Sequence, residues 1–273
     1  MKPQVEIDRE NAKFWEELCG TLLAKRLGIT DHTEESLQRF DEAYFRLYPY
    51  LATYMARVDV QDKKVLEIGL GFGSLGQRLA ENASEYVGVD ISMDPVEMMN
   101  HRIGMHGLRG FALKASAHLL PFEDESFDAV VSIGVFHHTG NIEKCVDESL
   151  RVLKPGGRLL AMVYNQFSYR QWLRWPLKTA SAFFGGESNA VEYEQRRVYD
   201  SRLDGSAAPQ TVFTSTHRLK EIFSAFSSFA ISKENCDEIS IAGFNIIPRI
   251  TLLTILGRSA GLDLYVLATK GLR

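Results

Sequence analysis

Val65-Leu-Glu-Ile-Gly-Leu-Gly-Phe-Gly-Ser-Leu-Gly76 packs four glycines and one carboxylate into twelve residues. The stretch predicts a short apolar strand, a glycine-rich turn and the start of a helix. A turn of this kind brings bare backbone close to a ligand. Working outward, short apolar runs near 65–68, 86–89, 110–114, 128–133 and 157–163 alternate with helical stretches. That rhythm predicts right-handed βαβ units and a parallel sheet. A helix near 217–226 and strands near 228–235 and 262–269 would complete it.

Two registers of the loop compete. Gly71-Phe-Gly73-Ser-Leu-Gly76 fits the dinucleotide pattern G-x-G-x-x-G, and Asp90 follows at the spacing of a ribose-binding acid, about 20 residues on. In that register the first glycine should close the strand, yet the strand ends near Ile68. The other register, Glu67-Ile-Gly69-Leu-Gly71-Phe-Gly73, sets a carboxylate at the strand end. It repels an anionic pyrophosphate and suits a cationic ligand. S-adenosylmethionine carries a sulfonium, an α-ammonium and a ribose that needs an acidic partner, which Glu67 and Asp90 can serve. The plainer role for Glu67, a surface or helix N-terminal carboxylate, stays open.

The bulk composition is that of an ordinary soluble chain. Its 273 residues are 45% hydrophobic and 24% charged, with a net charge of −4, which argues against a dedicated nucleic-acid binder. Cys19, Cys145 and Cys236 are far apart, so neither a disulfide framework nor a metal site is expected. Met1–Glu10 has no apolar signal core, and the greasiest run, Phe244–Leu256, is broken by Pro248 and Arg249. No membrane span and a cytoplasmic location are expected. The composition leaves oligomeric state open.

Four blocks in order resemble the class I S-adenosylmethionine-dependent methyltransferases, in the branch of the ubiquinone/menaquinone C-methyltransferases. They are Val65–Gly73, Val87-Gly-Val-Asp-Ile-Ser92, Leu120–Ser132 running on to Val135-Phe-His-His138, and Leu150-Arg-Val-Leu-Lys-Pro-Gly-Gly-Arg-Leu-Leu160. The resemblance covers about 65–163. It implies an α/β, Rossmann-like seven-stranded sheet, mostly parallel with the last strand antiparallel, and helices on both faces. It also implies S-adenosyl-L-methionine as cofactor. Gly69 and Gly71 would face the methionine and ribose, Asp90 the ribose hydroxyls, and Ile91 the adenine. Ser116 stands where relatives usually carry an aspartate for the adenine amino group, beside the backbone of Ala117. Ile133 and Gly134 would face the methyl end. The third and fourth blocks also read as plain fold: a loop feeding a buried strand, and Pro155-Gly156-Gly157 as a helix stop and turn.

Beyond the cofactor, His138 and His137 are candidate general bases, since they follow the fourth strand and an imidazole titrates near neutrality. An amine acceptor would need no base, and either histidine can simply fill a loop. Tyr164 and Asn165 end the fifth strand where an acceptor would be held, or are ordinary strand-end polar residues. A domain over 58–273 is expected, with 166–216 inserted as an aromatic-rich lid. In this insert Trp172 and Trp175 form one helix face. Residues 1–57 are expected as an N-terminal helical lid, with a stripe through Phe14, Leu18 and Leu22 and a second through Leu37, Phe40, Tyr44, Leu47, Leu51 and Met55, interrupted at Pro49. The expected partner is a small, largely apolar methyl acceptor. An NAD(P)-dependent oxidoreductase and a non-catalytic methyltransferase-like binding protein remain the alternatives.

Overall fold

The computed structural model describes residues 2–17, 21–185, 191–241 and 244–272. Leu18, Cys19 and Gly186 lie outside them. Seven strands form the main sheet: β1 (Lys64–Ile68), β2 (Glu85–Asp90), β3 (Gly110–Lys114), β4 (Phe127–Ile133), β5 (Leu153–Tyr164), β6 (Ser228–Glu234) and β7 (Asp263–Thr269). Their order is β3-β2-β1-β4-β5-β7-β6. β1 to β5 are parallel; β7 inserts between β5 and β6 and runs antiparallel to both. The expected sheet is therefore present, with its one reversed strand inside the sheet rather than at its edge.

Alternation along each strand decides the layers. Leu66, Val87, Val130 and Leu159 face one way with Ile142, Val146 and Leu219. Val65, Tyr86, Val131 and Leu160 face the other way with Leu75, Leu79, Met99 and Tyr54. The helices supplying these partners are α4 (Leu51–Val58), α5 (Ser74–Asn82) and α6 (Met93–His106) on one face, and α7 (Ile142–Val152) and α11 (Thr216–Ile222) on the other. Burial on both faces explains the near-continuous apolar runs of the central strands.

One boundary differs from expectation. Pro155-Gly156-Gly157 does not separate helix from strand, because β5 already begins at Leu153. The turn is absorbed as an irregularity where the β4–β5 register shifts between Phe127 and Ala129. Gly156 takes φ 76° there, a conformation open to glycine at little cost.

The N-terminal segment folds as α1 (Gln4–Trp15), α2 (Thr21–Arg26), α3 (Glu34–Leu47) and α4. The Thr33 hydroxyl caps α3 by accepting from the Ser36 N–H. The stripe through Met55 breaks around Pro49, since proline cannot donate within a helix. α3 is pinned to the glycine loop. Phe40 stacks on Phe72 with ring centroids 4.0 Å apart. The fully buried Arg102 bonds Asp41 at 2.8 and 2.9 Å and the Phe72 carbonyl at 2.8 Å. A buried ion pair of this kind holds only while both members remain.

The insert contributes α8 (Tyr169–Arg174), α9 (Pro176–Phe183) and α10 (Tyr193–Tyr199). The run from Phe244 to Leu256 splits into a strand, Phe244–Ile247, paired with Ile239–Ile241, and a helical segment from Arg249. Among the described residues no helix is long and apolar enough to cross a membrane.

Candidate active site

The sheet order reverses direction between β1 and β4, and in open α/β sheets a crevice forms outside the strand ends at such a point. Here it is a cavity of about 370 Å³, within the range of small-molecule sites. The turn after β1 forms its floor. Gly69 adopts φ 84°, and a Cβ there would meet Val135 Cγ2 at 2.0 Å, so only glycine lets the two strand ends close up. The Leu70 N–H donates to Asp90 Oδ2 at 2.9 Å, and the Ser92 N–H to Asp90 Oδ1 at 3.0 Å. The carboxylate thus ties the ends of β1 and β2 together. Burial pushes its pKa up to about 6, against the pull of these backbone donors.

Glu67 lies beneath the turn, 2% exposed, and accepts a short hydrogen bond from Tyr86 Oη. Burial raises its pKa to about 8, with Asp90 adding to the rise. With Asp90 ionised near neutrality, Glu67 is the carboxyl that keeps its proton. Gly76, on α5, faces the same group: a Cβ there would lie 2.4 Å from Glu67 Oε2. Gly76 serves helix packing against this acid and does not line the cavity.

The far end of the cavity is aromatic and brings His138 beside Asp200. His138 sits in a short 3₁₀ turn, Phe136–His138, after β4. Its Nδ1 is 2.8 Å from the Gln210 carbonyl, which can only accept, so Nδ1 carries the hydrogen. Nε2 then faces Asp200 Oδ2 at 3.5 Å. Tyr164 Oη donates to Asp200 Oδ1 at 3.0 Å, and burial raises the Asp200 pKa. Trp15, Tyr44, Tyr48, Tyr199 and Tyr265 line the surrounding wall.

The structure gathers most of the residues singled out from sequence. Glu67, Gly69, Gly71, Asp90, Ile91, Ser116, Ala117, Ile133, Gly134, His138 and Tyr164 all line the cavity. Three others stand apart. His137 is fully buried behind it, with neither ring nitrogen hydrogen-bonded. Burial, with His138 beside it, holds its pKa well below the usual range, so the ring is neutral. Asn165 spends its amide on the Gly261 carbonyl and the Phe167 N–H. Trp172 packs on Phe183 at the surface, 5.9 Å between ring centroids. Asp200 has no local signal in the sequence beyond its place in an aromatic insert. The ligand atoms of His137, His138 and Asp200 lie within 4.8 Å of one another, close enough to consider a cation. Asp200 is already held through Oδ1 by the Tyr164 hydroxyl.

Comparison with known proteins agrees with this architecture. Residues 66–161 match the family model described as a methyltransferase domain. A fatty-acid O-methyltransferase of Mycolicibacterium smegmatis is 32% identical over 185 residues, covering 65% of this chain and 62% of that protein. A demethylmenaquinone methyltransferase of Tropheryma whipplei is 27% identical over 144 residues, covering 50% of this chain and 59% of that protein. The chain thus spans about three-fifths of the length of these curated relatives. A SAM-dependent methyltransferase structure from Thermotoga maritima superposes with a TM-score of 0.53 at 19% identity, over 84% of this chain and 93% of that one; at that identity the likeness is one of fold. Residues 66–161 thus carry a methyltransferase domain, and in this part the chain is similar to S-adenosylmethionine-dependent methyltransferases that include those of ubiquinone and menaquinone biosynthesis.

Proposed function

We propose that the chain methylates a small, largely apolar molecule at a neutral, weakly acidic hydroxyl or at the carbon such a group activates. S-adenosylmethionine supplies the methyl group on a sulfonium, and the residues present fit it. Glu67 is a buried carboxyl beneath a glycine turn, with an affinity for positive charge once ionised. Asp90 offers an acceptor for ribose hydroxyls, Gly69 and Gly71 a bare backbone floor, and Ile91 with Ala117 an apolar surface for adenine. Residues 1–57 and 166–216 act as lids: α1, α3 and the end of α10 close the cavity and exclude water. Holding two reactants in line can contribute about 7–11 kcal/mol towards the barrier.

The observation that carries the acceptor reading is the His138–Asp200 pair at the aromatic end. His138 Nε2 takes the proton from the acceptor, with Asp200 beside it to balance the charge, while Tyr164 holds the other carboxylate oxygen. Among the described residues lining the cavity there is no lysine or arginine, but there are four acids: Asp8, Glu67, Asp90 and Asp200. This lining favours an uncharged acceptor over a carboxylate such as that of a fatty acid. The dinucleotide alternative is disfavoured by the same acids. A transfer assay with labelled methyl donor tests the proposal on a panel of phenols, amines and long-chain carboxylic acids. Label in the phenols and other neutral hydroxyl compounds is expected. Label confined to the carboxylic acids would overturn the acceptor reading.

A further inference from the structure

One carboxylate on the cavity wall, counted above only for its charge, has no ligand group assigned to it. Asp8 comes from α1, far in sequence from the strand ends, yet it lines the cavity beside Ile91, Pro95, Ser116 and Ala117. Its position is built. Gln4 Nε2 donates to Oδ1 at 2.7 Å, and Ser116 Oγ donates to Oδ2 at 3.0 Å. An ionised carboxylate has about four acceptor sites, so each oxygen keeps one free. The Ser116 hydroxyl hydrogen is already committed to Asp8, and its oxygen accepts from the His118 N–H at 3.3 Å.

α1 itself is fastened round the rim of the cavity. Gln4 Nε2 donates to the Thr139 carbonyl at 2.9 Å, Asn11 Nδ2 to the His138 carbonyl at 2.7 Å, and Ser92 Oγ to the Ala12 carbonyl at 2.9 Å. These contacts hold Asp8 over the β2–β3 side of the cavity. A nucleoside whose ribose is held by Asp90, with its amino-acid part on the glycine turn, extends its base towards that side. Adenine presents an exocyclic amino group that can only donate. The strongest acceptor there is Asp8.

We infer that Asp8 of α1 accepts the adenine amino group, so that binding of the nucleoside tightens the docking of α1 already made through Gln4, Asn11 and Ser92. The inference rests on the S-adenosylmethionine reading and adds a recognition residue to it. Ser116 becomes a positioning residue that orients Asp8 rather than the adenine acceptor itself. A carboxylate that would sit on the sheet in the same place is here delivered by the lid.

The test uses S-adenosylhomocysteine and S-inosylhomocysteine, in which the amino group is replaced by an oxygen that accepts. Titration calorimetry of the full chain should show a preference for the adenosyl form of about tenfold or more, the scale of one charged hydrogen bond. Asp8→Asn, whose amide can donate as well as accept, should level that preference. The double variant Asp8→Ala with Ser116→Asp should restore it by returning a carboxylate to the sheet. Amide hydrogen exchange over residues 4–15 should slow on adding S-adenosylhomocysteine to the wild type. An unchanged ratio in Asp8→Asn, or a flat ratio in the double variant, overturns the role of Asp8 while leaving the cofactor standing. No binding of S-adenosylhomocysteine by the wild type would overturn the cofactor reading and this inference together.

Discussion

The two ends of the cavity are built by different rules. The glycine-turn end is made from the ends of β1, β2, β3 and β4 and from the residues that directly follow them. The functional groups there are fixed by one another where the strand ends meet: Gly69 by Val135, Leu70 by Asp90, Ser92 by Asp90. The aromatic end is assembled from α1, α3, the end of β5 and the insert. Its central pair joins His138 to Asp200 across 62 positions of sequence. The first end can be read from spacing because the chemistry and the fold share one local pattern. The second depends on tertiary packing, and packing of this kind can change its acceptor without disturbing the turn.

Separating the two ends gives the largest expected effect. Asp200→Asn and His138→Ala should each lower turnover by about 10²–10⁴-fold, the usual reach of a general base. The affinity for S-adenosylhomocysteine should stay near the wild-type value, because neither side chain belongs to the turn. Single-turnover methyl transfer alongside calorimetry reads both quantities. If cofactor affinity falls with the rate, the two ends are coupled and the division is wrong. If the rate is unchanged, the acceptor needs no base there.

Asp90→Ala probes the other end and should act the opposite way. Loss of charge-assisted hydrogen bonds to a ribose is expected to weaken binding by about 1.5–3 kcal/mol, on the order of ten- to 150-fold. The variant also releases the Leu70 and Ser92 N–H groups, so thermal unfolding is measured beside the affinity. A weakened affinity with a matching fall in melting temperature would point to the turn rather than to the ribose. Unchanged affinity would remove Asp90 from the ribose site.

The same contrast explains what was legible in the sequence. Strand positions and the break at Pro49 follow from alternation and from residues whose backbone chemistry allows few options, whereas the reversed direction of the strand near 262–269 is implied only by the family resemblance. Glu67, Gly69, Gly71 and Asp90 follow from a strand end and its loop, while Ile91, Ser116, Ala117, Ile133 and Gly134 are implied by the family resemblance. Asp200 was not reached, since nothing near Tyr199 marks which side chain turns inward. Trp172 illustrates the converse: its spacing with Trp175 is that of a helix face, but spacing does not say what that face covers. His137 and His138 are adjacent, and only the direction of the 3₁₀ turn after β4 separates a cavity residue from a buried, neutral one. Asp8 was out of reach for the same reason as Asp200, because it acts 108 positions away from the hydroxyl that orients it.

The smallest effect tests whether Glu67 responds to the ligand's charge. Its pKa of about 8 lies above the ordinary carboxylate value because burial disfavours the anion. A cation brought close reverses that preference, so binding should release up to one proton in the window between about pH 6 and 8. The affinity for S-adenosylmethionine should then rise with pH by at most about tenfold per unit and level off above about 8. In the empty protein the sign is the opposite. Glu67, Asp90 at about 6 and Asp263 at about 7 hold more protons folded than unfolded. Their contribution to stability is therefore complete in acid and declines as pH rises from about 4 to 8. Calorimetry in buffers of different ionisation enthalpy counts the released proton directly. Glu67→Gln keeps the shape, removes the ionisation, and should flatten the pH slope of binding. If the slope persists in that variant, the titrating group is elsewhere and the carboxyl beneath the turn serves only to hold Tyr86 and Gly76 in place.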